Sequence, residues 1–191
     1  MLSIEERLNK LAERLHEPEF LVSKGLGNEI GFHIFDYDPS DEVVVRDAIS
    51  RLMKMKRPDE YSIKEFDLYE ILLNILKEEG VLEAALEMEA TEGDEIFYEA
   101  INSILNPDNE NNLLVNHIKD QPKENTIAFM TGIGKVWPLV RSHKVLNRLH
   151  AAMDDVPLVL FFPGIYTGQN LKLFNEFNDE NYYRAFRIVE R

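Results

Sequence analysis

Apolar side chains recur every three or four residues in several stretches of the chain, which is typical of helices packing one face into a core. The first stretch, residues 4–15, follows Ser3 and Glu6, which fit a capping box at a helix N-terminus. Gly80 separates two of the later stretches. The further helices are predicted at residues 43–53, 72–77, 81–88, 95–105, 112–119 and about 137–153.

Five other stretches are rich in β-branched and aromatic residues and predict strands. They are residues 30–37, 62–69, 126–130, 157–162 and 185–189. One overlap stays open, because residues 66–76 also fit a helix. Strands that alternate with helices indicate a parallel sheet, and long apolar strands fit a sheet covered on both faces.

The fold class is therefore predicted as α/β, with a mostly parallel sheet of about four or five strands and helices on both faces. N-terminal and mid-chain helices add to this sheet. One alternative within the class is a P-loop-NTPase-like sheet that lacks the Walker A motif. We expect a single α/β domain over residues 1–191, in which residues 1–24 form an N-terminal helical extension.

Three acids follow the first predicted strand. Asp36, Asp38 and Asp41 could supply oxygen ligands to a divalent cation, but Asp41 stands where a calcium-binding EF-hand loop needs glycine. Turn formation, and capping of the next helix by Ser40 or Asp41, explain these residues more simply. Ligands of such sheets bind beyond the carboxyl ends of the strands. Six residues should meet at that edge: Asp36, Asp38, Gly132, Gly134, Gly164 and Tyr166.

The turn at residues 131–135 resembles a phosphate-binding loop, since Gly132 and Gly134 allow close backbone approach and Lys135 supplies charge. It fails the Walker A pattern, because its spacing is short and Val136 follows the lysine. It also lies late in the chain. A structural strand-to-helix turn or an interaction surface fits the sequence better than a nucleotide site.

Basic residues follow this turn on the helix predicted at about 137–153. Arg141, Lys144 and Arg148 are three and four residues apart, so they share one face, and His143 lies beside them. Three interpretations stay open for this face: a solvated surface, a docking surface for an acidic partner or this protein's own acidic half, and a nucleic-acid contact.

The second glycine-bearing turn, residues 163–169, is the most unusual local sequence. Gly164 and Gly168 flank Tyr166, which suggests a shaped turn that presents the tyrosine. Either turn chemistry alone or contact with a partner or ligand would account for this pattern.

Composition narrows the function classes. The 191 residues carry a formal net charge of −14, yet residues 125–175 hold five bases and two acids. An acidic body disfavours general binding to nucleic acid, although a local basic surface could meet an anionic partner. The mixed-charge N-terminus is unlike a signal peptide, and no apolar run approaches the length of a membrane span. We therefore expect a cytoplasmic protein.

No catalytic constellation is recognisable. The chain has no cysteine, which excludes thiol nucleophiles and cysteine-based zinc sites. The histidines lack metal-ligand spacing, and there is no Gly-x-Ser-x-Gly elbow. The residues predict no metal, no cofactor and no enzyme activity.

Three segments carry a family resemblance: GIGKVWPLVRSHKVLNRLH (132–150), PLVLFFPGIYTGQNLKLF (157–174) and NYYRAFRIV (181–189). In them the chain resembles the BrxB family of bacterial BREX (bacteriophage exclusion) systems, over essentially its whole length. The resemblance implies a core component of phage defence that works beside the phosphatase-like PglZ, the ATPase BrxC and the methyltransferase PglX. PglZ is the most plausible direct partner that it implies. It brings no catalytic residues.

The leading hypothesis is a non-enzymatic adaptor or scaffold that binds another BREX protein. The alternatives are a degenerate nucleotide-binding module that regulates the BREX complex, and a DNA-associated subunit. Self-association stays open. The ten candidate contact residues are Gly132, Gly134, Lys135, Arg141, His143, Lys144, Arg148, Gly164, Tyr166 and Gly168.

Overall fold

The structure is a computed structural model. It describes residues 2–21, 32–55, 61–105, 112–121, 124–140, 148, 153, 156–179 and 185–191. The helices are α1 (Ile4–Arg14), α2 (Pro18–Leu21), α3 (Glu42–Lys54), α4 (Leu68–Glu78), α5 (Leu82–Thr91), α6 (Asp94–Leu105), α7 (Leu113–Lys119) and α8 (Ile133–Val136). The strands are β1 (Phe32–Tyr37), β2 (Ser62–Asp67), β3 (Thr126–Thr131), β4 (Leu158–Tyr166), β5 (Leu171–Leu173), β6 (Phe177–Asp179) and β7 (Phe186–Arg187).

Five strands form a parallel sheet in the order β2-β3-β4-β1-β7. The end of β4 also pairs with β5 in antiparallel fashion, and β5 pairs with β6. Helices α4–α8 contribute to the core on one face of the sheet, and α1–α3 contribute to the core on the other. This arrangement confirms the predicted α/β class. No helix in the described part of the chain is both long and apolar enough to cross a membrane.

The first helix begins as its sequence predicts. The Ser3 side chain accepts a hydrogen bond from the Glu6 N–H, and the Glu6 carboxylate accepts one from the Ser3 N–H at 2.8 Å. The overlap at residues 66–76 resolves into both structures, because β2 ends at Asp67 and α4 follows at once. The Asp67 carboxylate caps α4 by accepting the Tyr69 N–H at 3.0 Å.

The start of α3 differs from its prediction. Ser40 and Asp41 are the predicted caps, but the capping side chain is that of Asp38. It caps a short 3-10 helix (Pro39–Asp41) that precedes α3. Asp41 stands at the N-cap of α3 without a side-chain hydrogen bond. The buried stripe of α3 has the expected helical spacing and consists of Val45, Ala48, Ile49 and Leu52.

Two boundaries around the central stretch were predicted wrongly. The helix expected from about residue 137 does not begin there, since α8 lies before it and Trp137 has extended backbone, which a residue preceding proline favours. Most of residues 141–153 lie outside the described ranges. Strand β4 runs on to Tyr166 instead of turning at Gly164, because β5 pairs with its last three residues. A Cβ on Gly164 would lie 2.1 Å from the Lys172 carbonyl oxygen, so only glycine permits this close approach.

A buried carboxylate joins the sheet to both ends of the chain. Asp36, near the end of β1, is fully buried, and its Oδ1 accepts hydrogen bonds from Arg7 and from Arg187 at 3.3 and 3.1 Å. Its Oδ2 accepts the Tyr166 N–H at 3.1 Å and lies 3.3 Å from Nε of Arg191. One side chain therefore fixes α1, the end of β4 and the C-terminal segment together.

The Arg7 guanidinium serves the same junction. It donates to the main-chain carbonyls of Asp36, Val189 and Glu190 at 2.7, 3.2 and 3.1 Å. Burial lowers the pKa of Arg7, and the charge of Asp36 opposes that shift. Arginine stays protonated in proteins, so Arg7 and Asp36 form a buried ion pair whose remaining donors are satisfied by the backbone.

We expect Asp36→Asn to lower the free energy of unfolding by about 3 kcal/mol, because it leaves the buried Arg7 without its counter-charge. The comparison is Asp47→Asn, which removes an exposed carboxylate on α3 and should change stability by less than about 0.5 kcal/mol. Urea denaturation of both variants measures the difference. Equal stability of the two would contradict a central role for Asp36.

Candidate functional site

The carboxyl ends of three parallel strands surround a cavity of about 220 Å³. Tyr37 of β1 lies opposite Pro163 of β4, and the turn after β3 closes another side. The cavity is lined by Tyr37, Pro39, Glu42, Arg46, Gly132, Ile133, Gly134, Lys135, Pro163 and Phe174. The sheet edge predicted to hold a ligand thus carries a real depression, formed partly by the first glycine-bearing turn.

That turn is packed against the end of the neighbouring strand. Gly132 has a φ of 77°, and a Cβ on it would lie 2.3 Å from Oδ1 of Asp67. The Lys135 ammonium forms a salt bridge with the other oxygen of Asp67. The glycine and the lysine therefore dock the β3–α8 turn onto the N-terminus of α4, which is a structural explanation for both residues.

This packing disfavours a phosphate cradle. The lysine that would bind a phosphate is already paired with Asp67, and α8 contains only four residues. A P-loop is a glycine-rich segment that connects a strand directly to a helix. The segment after β1 does not fit this pattern either, because it contains Asp38 and a 3-10 helix, and its local charge is negative.

Hydrogen bonds also occupy the polar groups on the opposite wall. The buried Tyr37 hydroxyl donates to Glu42 at 2.5 Å, and Glu42 accepts a second bond from Nε of Arg46 at 2.9 Å. Burial raises the pKa of Tyr37, and the bond to Glu42 adds to the shift. Tyr37 is therefore fixed as a neutral hydrogen-bond donor.

Two of the three acids considered as cation ligands, Asp36 and Asp38, have other partners. Asp36 is surrounded by arginines, while Asp38 accepts hydrogen bonds from Ser40 and from the Asn175 amide. The Ser40 hydroxyl is the main cause of the lowered pKa of Asp38. Within the described ranges, no group of three or more acidic or histidine side chains could hold a metal ion.

Three aromatic rings form a patch beside the cavity. The ring centroids of Trp137 and Phe177 are 4.2 Å apart, and Phe174 packs edge-on against both at 6.3 and 6.5 Å. Trp137 remains 37% exposed and Phe177 39% exposed. A Cβ on Gly134 would lie 2.8 Å from the Phe174 ring, so glycine lets that ring lie over the turn. These three side chains are called the aromatic patch below.

The sequence interpretation did not select the aromatic patch. The helix predicted at about 137–153 would begin at Trp137, and Phe174 and Phe177 fall in no predicted helix or strand. A usable signal was present, since the chain's one tryptophan precedes a proline directly after the glycine-bearing turn. The contact between residues about 40 positions apart carries no local pattern.

The second glycine-bearing turn does not present its tyrosine. Tyr166 is only 1% exposed, and its hydroxyl donates to the Ala185 carbonyl at 2.8 Å. Gly164 lies inside β4, where its carbonyl accepts a bond from Arg191 at 2.8 Å. Gly168, with a φ of 92°, forms the exposed turn between β4 and β5. Tyr166 is thus an anchor between the hairpin and the C-terminal segment.

Most of the basic face lies outside the described residues. Arg141, His143 and Lys144 belong to a range that the structure does not describe, and Arg148 is half-buried. The structure therefore brings Gly132, Gly134 and Lys135 together at the cavity, and places Gly164, Tyr166 and Gly168 on the adjoining hairpin.

Known proteins have sequences similar to that of this region. The family model described as BREX protein BrxB matches residues 64–188, which include the turn and the aromatic patch. A BREX protein BrxB from Bacillus cereus (strain H3081.97) is 46% identical over 192 aligned residues, covering all of both chains. One from Escherichia coli O9:H4 (strain HS) is 33% identical over 186, covering 97% of this chain and 92% of the relative. No solved structure matches significantly. The chain belongs to the BrxB family of BREX proteins.

Proposed function

We propose that this component of a bacterial BREX anti-phage system is a non-enzymatic adaptor that binds PglZ through the aromatic patch and the adjoining cavity. Membership of the BrxB family supports a role among BREX proteins. The direct partnership with PglZ is what the family resemblance implies.

The main support for this proposal is the partial exposure of the aromatic patch to solvent. Aromatic residues are enriched at protein interfaces and supply many of the strongest contacts. Trp137 and Phe177 each keep more than a third of their surface in water, although they contact each other. The neighbouring cavity offers a recess for one partner side chain, and Phe174 links the two features.

The polar groups of the cavity support binding over catalysis. Among the residues that the structure describes, four side chains that line it can ionise: Tyr37, Glu42, Arg46 and Lys135. Each already has an internal partner, through the Tyr37–Glu42–Arg46 chain or through the Lys135–Asp67 salt bridge. A nucleophile would need a free neighbouring base, and these pairings leave none among the lining residues.

We expect the double variant Trp137→Ser, Phe177→Ser to weaken PglZ binding by about 2 kcal/mol or more, roughly 30-fold, because it removes two aromatic contacts at once. Isothermal titration calorimetry with purified PglZ measures the loss. The matched control is Met55→Ser, which truncates a similarly exposed apolar side chain after the far end of α3.

Thermal unfolding of both variants first establishes that they fold. Unchanged PglZ affinity in the folded double variant would reject the aromatic patch as the contact. An equal loss in Met55→Ser would also reject it, because the effect would then not depend on the position of the apolar side chain.

The nucleotide-binding alternative has its own test. Since Lys135 is paired with Asp67, we expect ATP at about 1 mM, with Mg²⁺, to leave the melting temperature unchanged. Differential scanning fluorimetry measures this. A rise of a few degrees would mean that nucleotide binds the folded protein and stabilises it by mass action. The adaptor would then have to be one that depends on bound nucleotide.

A further inference from the structure

Helices α5 and α6 form an acidic hairpin with no basic residue. Between Lys77 and Lys119 the sequence contains eleven Asp and Glu residues and neither Lys nor Arg. Seven of these acids belong to the hairpin: Glu83, Glu87, Glu89, Glu92, Asp94, Glu95 and Glu99. The residues of this hairpin do not line the cavity at the sheet edge. The hairpin is therefore a separate surface.

The charges of the hairpin oppose its own stability. Glu83 and Glu87 are four residues apart on α5, as are Glu95 and Glu99 on α6, and like charges at this spacing repel. Neither helix has a basic residue in its last turn, where a cation would be favourable. Across the described residues, none of the hairpin's seven carboxylates forms a salt bridge.

Apolar side chains lie exposed among these acids. Ala85 is the one buried side chain of α5, while Leu86 is 50% exposed. Ile96 at the start of α6 is also 50% exposed. Glu83 lies three residues before Leu86, and Glu99 lies three residues after Ile96, so each apolar side chain has a carboxylate as its helical neighbour.

The distribution of charge indicates the kind of partner. A metal ion does not fit, because no cluster of three or more acidic or histidine ligands occurs within the described ranges. The acids instead extend along two helices of 10 and 12 residues, each about 15–18 Å long. A polypeptide with several basic side chains can supply counter-charges along such a length. Nucleic acid, which is itself anionic, would be repelled.

We propose that the α5–α6 hairpin is a second docking surface, which binds a protein partner through a lysine- or arginine-rich face with apolar contacts for Leu86 and Ile96. Charge complementarity determines the occupant, since the unpaired carboxylates gain their counter-charges on binding. Leu86 and Ile96 then lose their contact with water. This proposal stands independently of the PglZ contact at the aromatic patch.

The test titrates each other protein of the same BREX cluster, one at a time, into the fluorescently labelled chain and follows anisotropy at low and moderate salt. We expect at least one of them to bind, with an affinity that falls as salt rises. Glu83→Lys with Glu87→Lys, and Leu86→Ser with Ile96→Ser, should each weaken that binding by about tenfold or more. The matched control, Glu5→Lys with Glu13→Lys on exposed positions of α1, changes net charge equally and should have less than about a twofold effect.

A stability measurement separates docking from a structural role. Glu87→Lys alone replaces a repulsive pair by an attractive one with Glu83, so it should raise the melting temperature slightly while it weakens binding. Equal losses in the hairpin variants and the α1 control would overturn the proposal in favour of general charge attraction. Absence of any hairpin-sensitive partner would overturn it as well. Self-association that the hairpin variants abolish in analytical ultracentrifugation would replace the basic partner by a second copy of the chain.

Discussion

The buried carboxylate of Asp36 is the constraint on which the arrangement of this protein depends. It fixes Arg7 of α1, the main chain of Tyr166 and the C-terminal arginines at one point, near the carboxyl end of β1. A charge removed from water is tolerated only when such partners surround it. Tyr166 is the last residue of β4, so the same junction fixes where the antiparallel pairing of β4 with β5 and of β5 with β6 is placed. This β4–β6 segment carries Phe174 and Phe177 to the sheet edge.

Local patterns were sufficient to predict most of the fold. The capping box before α1 and the apolar strands of the sheet are encoded by residues near one another in sequence. The site was predicted less well because long-range contacts form it. Lys135 meets Asp67 across 68 positions, and Tyr166 meets Asp36 across 130. The glycine-lysine motif resembles a phosphate loop, although its spacing favoured a structural turn or an interaction surface, and its geometry is that of a packed turn. The tyrosine expected at the surface is a buried anchor.

Two surfaces of different chemistry follow from this architecture. The aromatic patch and cavity lie at the sheet edge, where binding would derive mainly from apolar contact. The α5–α6 hairpin is strongly acidic, so its binding would depend on salt. A protein that joins two others requires separate surfaces, and differing chemistry lets each select its own partner. This difference is the physical basis of the proposed adaptor role among BREX proteins.

Fluorine NMR on Trp137 gives the most direct test of the central claim, because the chain contains one tryptophan. Uniform 5-fluorotryptophan labelling yields one resonance, whose H₂O-to-D₂O isotope shift reports exposure to solvent. On addition of unlabelled PglZ, we expect the resonance to move and its isotope shift to decrease. A complex that forms, as shown by size-exclusion chromatography, while both quantities stay unchanged would contradict an adaptor surface at the aromatic patch.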